Sequence, residues 1–143
     1  MNLRITLPLA ALAALVAGGA AAQEGGRPYT VAMTGAAERP GPGDPDGSGT
    51  ATFRVNAGQG RVCYTLNVSN IEPATAAHIH RGGPEVAGPV VVGLAAPTDG
   101  SSEGCADVER ALAQELIRNP GAFYVNVHNA AFPPGAVRGQ LGR

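Results

Sequence analysis

Glycine and proline interrupt this chain at short intervals along nearly its whole length, without a repeat period. The 21 glycines and 12 prolines among 143 residues are about twice the average share. A helix interior tolerates neither well, so a long helical bundle is excluded, and the lack of a three-residue period excludes collagen. Hydrophobic residues still make up 44% of the chain, enough apolar surface to offset the entropy of ordering. What remains is a folded chain cut into short extended segments.

Those segments read as strands. Residues 29–34 alternate, the Pro/Gly-rich residues 37–49 form a loop, and 50–56 and 61–69 are two strands joined by the turn Ala57-Gly58-Gln59-Gly60. In the second of this pair Val62, Tyr64, Leu66 and Val68 share a core face, which leaves Arg61, Cys63, Thr65 and Asn67 on a wet one. Further strands are expected at 77–81, 89–95, 122–129 and 136–141, with residues 98–104 as loop. Asp107 is placed as the N-cap of a helix. Val108, Ala111, Leu112 and Leu116 then recur at helical spacing until Asn119-Pro120-Gly121 ends it. About seven strands and one short helix specify an all-β fold, an antiparallel Greek-key sandwich or barrel.

Residues 1–22 stand apart. A short positive start, Met1-Asn2-Leu3-Arg4, precedes an apolar run over 5–16, and Ala20-Ala21-Ala22 closes it with small residues, the form of a secretory signal peptide cleaved after Ala22. The run is too short to span a bilayer, which takes roughly 20 residues. Cleavage is expected to leave one domain, residues 23–143, exported to the periplasm or the medium. There Cys63 and Cys105 are expected to oxidise to a disulfide. It would close a loop of about 43 residues, worth roughly 4 kcal/mol in the chain-entropy model, and pin the 98–107 segment over the wet face. The pair lacks the C-x-x-C spacing of a redox centre. A net charge of −1, with ten arginines scattered singly and no lysine, disfavours nucleic acid and anionic membrane as partners.

The three histidines carry the strongest chemical signal. His78 and His80 form H-x-H in Ala77-His78-Ile79-His80, and His128 ends Tyr124-Val125-Asn126-Val127-His128. Period-2 alternation turns His78 and His80 to one face and Ile79 to the core. In the later strand Phe123, Val125 and Val127 form the apolar set, so Tyr124, Asn126 and His128 point outward. Two imidazoles on one strand and a third from a neighbour make a three-nitrogen metal site suited to copper, with zinc less favoured. The bland alternative is a set of polar histidines hydrogen-bonded to loops and to each other. Asn126 or Tyr124 could orient the ligands.

Other patterns carry less. Asp44-Pro45-Asp46-Gly47-Ser48-Gly49 imitates the start of a calcium loop, but Val55 stands where the bidentate glutamate belongs, so it reads as a turn. Asn67-Val68-Ser69 fits the glycosylation pattern by a match short enough to arise by chance. No nucleophile elbow or phosphate loop is present, and no carboxylate pair suits acid/base work, so no catalytic residue is assigned. Arg81 and Arg138 flank the histidine strands and read as solvated rim residues, or as groups that could steer an anion.

Several of these pieces together resemble the CHRD domain, the module repeated in animal chordin and found singly in many exported bacterial proteins. They are Thr34-Gly35-Ala36-Ala37-Glu38-Arg39-Pro40, Gly49-Thr50-Ala51-Thr52, Cys63-Tyr64-Thr65-Leu66, Ala77-His78-Ile79-His80-Arg81-Gly82, Gly88-Pro89-Val90-Val91, Tyr124-Val125-Asn126-Val127-His128 and Gly135-Ala136-Val137-Arg138-Gly139-Gln140-Leu141. The resemblance implies an immunoglobulin-like or superoxide-dismutase-like β-barrel. In animals the domain accompanies binding of bone morphogenetic proteins, which a lone copy need not share. The H-x-H is similar to the copper-binding strand of copper/zinc superoxide dismutase, yet three histidines cannot supply four copper ligands and a zinc site. The expected function is a copper-holding module outside the cytoplasm. The alternatives are a metal-free extracellular interaction module and a copper-dependent oxidoreductase.

Overall fold

The computed structural model describes residues 25–142; the expected signal peptide and its cleavage point lie outside the described residues. Eight strands are formed: β1 (Arg27–Thr34), β2 (Ser48–Asn56), β3 (Arg61–Ser69), β4 (Ala74–Arg81), β5 (Val90–Leu94), β6 (Ser101–Asp107), β7 (Phe123–Asn129) and β8 (Val137–Gln140). One helix, α1 (Arg110–Arg118), precedes β7. Every pairing is antiparallel, in the order β5-β4-β7-β8-β1-β2-β3-β6. Long connections lay β8 beside β1 and β6 beside β3. The sheet curls until its outer strands meet, where Ser102 Oγ donates to Ala95 O at 2.7 Å and Ala95 N donates to Tyr64 Oη at 2.8 Å. The result is an all-β, nearly closed barrel. Among the described residues no helix is long and apolar enough to cross a membrane.

Local chemistry explains the β2–β3 hairpin. Asn56 Oδ1 accepts from Gln59 N at 3.0 Å, and Gly60 turns the chain at φ 63°, a conformation other residues adopt at a cost. The resulting register stacks Val55 on Val62, Phe53 on Tyr64 and Ala51 on Leu66, so both strands bury the same face. Val62, Tyr64 and Leu66 are buried and Val68 half-buried, the face read from alternation. Ile79, Phe123, Val125 and Val127 complete the interior from the other half of the barrel. Helix α1 buries Ala113 and Leu116 against it, and Tyr29 Oη donates to Leu116 O at 3.1 Å.

Three expectations need correction. The segment expected as loop over 98–104 largely belongs to an eighth strand: Ser101 pairs with Asn67 and Asp107 with Arg61. Small polar residues have little strand preference of their own, and the β3 edge supplies the missing ladder. The Cys63–Cys105 disulfide forms, but its cysteines are direct partners across that ladder, so the bond staples two strands rather than a loop over a face. Asp107 ends β6 instead of capping the helix, and Glu109 occupies the N-cap without a side-chain hydrogen bond. The buried helical positions are accordingly Ala113 and Leu116, while Ala111 is exposed.

Candidate metal centre

Strands β4 and β7 pair so that His78 faces Asn126, His80 faces Tyr124 and Ala76 faces His128. Alternation therefore sends all three imidazoles to the outer side of the barrel. Their candidate ligand atoms lie within 4.8 Å of one another. His78 Nδ1 stands 3.1 Å from His128 Nε2. Two nitrogens at that separation, each about 2.0–2.1 Å from a shared ion, subtend roughly 100°, which suits neighbouring ligands.

The backbone decides which nitrogen is offered. His80 Nδ1 lies 2.8 Å from Gly88 O, and His128 Nδ1 lies 2.8 Å from Pro133 O. A carbonyl only accepts, so each Nδ1 carries the proton and each Nε2 presents a lone pair. Hydrogen bonds of this kind orient metal-binding histidines. Burial pushes the His78 ring below the usual imidazole range, with the neighbouring His128 and His80 acting in the same direction. Burial also lowers His80, opposed by its bond to Gly88. Both shifts favour the neutral ring that coordinates metal.

The face bearing the histidines is not wet. His78 and His128 are half-buried, but His80 is 8% exposed, Tyr124 3% and Asn126 2%. Two loops cover them, the segment between β1 and β2 and the segment between β4 and β5. Tyr124 stacks on His80 with ring centres 4.8 Å apart and planes 6° from parallel, and Gly88 N donates to Tyr124 Oη at 3.0 Å. The Arg138 guanidinium lies 3.4 Å over the Tyr124 ring and donates to Val86 O at 2.9 Å and Gly83 O at 2.8 Å.

Arg138 is thus no rim residue. It is 2% exposed, and its Nη1 and Nη2 each donate to the covering loop. Arg81, by contrast, is half-exposed and pairs with Glu115. The residue that sequence reasoning missed is Glu38. It is 2% exposed, and burial pushes its carboxyl up to about 7 against the opposing pull of Arg138 and a hydrogen bond with Asn126. Gly135, at φ 149°, makes room for it, since a Cβ there would collide with the carboxylate. The only sequence signal of Glu38 was its place in the motif Thr34-Gly35-Ala36-Ala37-Glu38-Arg39-Pro40. Asp44 forms a turn, its Oδ1 accepting from Asp46 N at 3.3 Å.

The fold and site define a small barrel of antiparallel strands whose outer face gathers three histidines able to hold a metal ion. The family model of the CHRD domain matches residues 29–141, and the chain belongs to the CHRD domain family. No curated protein and no solved structure matches it.

Proposed function

We propose that this protein holds a copper ion on His78, His80 and His128 outside the cytoplasm. The observation that carries the reading is the preset geometry: three imidazoles converge within 4.8 Å, and carbonyl oxygens aim two of them. Neutral imidazole donors suit copper and zinc, and the divalent order favours copper(II). Export is supported by the form of residues 1–22 and by the Cys63–Cys105 disulfide, since paired thiols persist in oxidising compartments. The mature domain is residues 23–143, and intact mass of the secreted protein should place its first residue at Gln23.

Calorimetry with purified protein tests the site. One copper(II) per chain should bind near neutral pH, more tightly than zinc. Alanine at any one histidine should weaken copper more than about tenfold, the loss that even an outer hydrogen-bond partner can cause, while circular dichroism stays that of the wild type. Absence of copper binding by the folded protein would leave a metal-free interaction module. Unfolding of His78→Ala would make that histidine structural.

A further inference from the structure

Among the described residues, three side-chain atoms on the covered outer face are buried without a hydrogen-bond partner: His80 Nε2, Asn126 Oδ1 and Glu38 Oε1. Their residues are 8%, 2% and 2% exposed. Asn126 stands between the other two, within hydrogen-bonding reach of each. Orphaned buried polar atoms are rare because each forfeits its hydration. Three of them on residues linked through Asn126 point to something the surrounding side chains do not provide.

All three are acceptors when Glu38 is ionised. The His80 proton sits on Nδ1 against Gly88 O, so Nε2 offers a lone pair. Asn126 Nδ2 lies 3.5 Å from Pro134 O and within reach of the Glu38 carboxylate. The nitrogen of an amide turns toward acceptors, so Oδ1 is left on the His80 side. Nε2 and Oδ1 thus both present lone pairs, and among the described residues neither receives a donor. A cation satisfies that arrangement.

We propose that Asn126 Oδ1 provides a fourth, oxygen position of the histidine site, and that Glu38 is the positioning residue that keeps the amide turned this way. This rests on the metal reading above. Tyr124 stacks on His80 and Arg138 lies over Tyr124, which holds the His80 ring in place.

Copper(II) titration of the full exported chain, followed by electron paramagnetic resonance, tests the assignment. Asn126→Leu keeps the shape and removes the oxygen, and should weaken copper about 10–100-fold and shift the spectrum. Asn126→Asp keeps an oxygen and adds charge, and should bind at least as tightly as wild type with a spectrum altered by the carboxylate. Glu38→Gln can still accept from Asn126 Nδ2 and should retain the wild-type spectrum, whereas Glu38→Leu should lose it. If the wild-type chain binds no copper, the metal reading itself falls. If it binds copper and folded Asn126→Leu shows unchanged affinity and spectrum, only the fourth position falls. Should Asn126→Leu fail to fold, an unchanged spectrum in Asn126→Asp overturns the assignment equally. A purely structural Asn126 would lower melting temperatures across the series and leave the copper spectrum alone.

Discussion

Strands β4, β7 and β8 bury both of their faces, and the two burials are of opposite kinds. Inside the barrel Ile79, Val125, Val127 and Val137 are fully buried among apolar neighbours. Outside it His80, Tyr124, Asn126 and Arg138 are nearly as inaccessible, beneath two loops. The inner face is satisfied by contact alone. On the outer face each polar atom needs a directed partner, and three have none. Burying polar groups in that condition costs stability, so the outer cluster is not what holds the barrel together. The inner face carries stability, and the outer face carries the chemistry.

The sharpest way to break that division is through the core. Phe53 is 2% exposed and packed in the interior, so Phe53→Ala should lower unfolding free energy by about 3–5 kcal/mol in urea titrations. Copper affinity of the remaining folded protein should not change. Next in size is the disulfide, which joins positions 42 apart on β3 and β6, neither of which carries a histidine of the cluster. Cys63→Ser and Cys105→Ser should each cost at most about 4 kcal/mol in the chain-entropy model, and the double variant no more than either alone. Copper uptake should again survive. Loss of metal binding in either experiment would show that the two faces are energetically one unit.

The difference between the faces also marks how far the sequence could be read. Side-chain direction follows from period 2, so the core face of β3 and the common orientation of His78, His80 and His128 were legible from alternation alone. Burial of the outer face was not, because it depends on segments far away in the chain. Glu38 meets Asn126 across 88 positions, and Arg138 looks like any surface arginine until the 82–88 loop folds over it. The same cause hid β6. Ser101-Ser102-Glu103-Gly104 has no strand signal of its own, and only the edge of β3 makes it one. The helix start slipped because Asp107, a good cap by type, is claimed by the ladder opposite Arg61.

The smallest effect separates the faces by pH. Glu38 titrates near 7 in the folded chain and near 4.5 when unfolded, so folding favours its protonated form. Its stabilising contribution is therefore complete below pH 4.5 and lost as pH rises through 7, up to about 3 kcal/mol for such a shift. His78 and His80 act the other way: their lowered values mean stability present above about 6.5 and lost as pH falls below it. The two trends overlap in wild type, and Glu38→Gln removes only the first. With a chelator present, Glu38→Gln should be more stable than wild type at pH 8, and the advantage should fade by about pH 5 in urea midpoints. No interior substitution of one apolar residue by another should produce such a pH-dependent difference, since nothing there titrates. A flat difference between wild type and Glu38→Gln from pH 8 to 5 would mean that ionising Glu38 costs no more under the loops than in water, and the contrast between the two buried faces would fail at its most polar point.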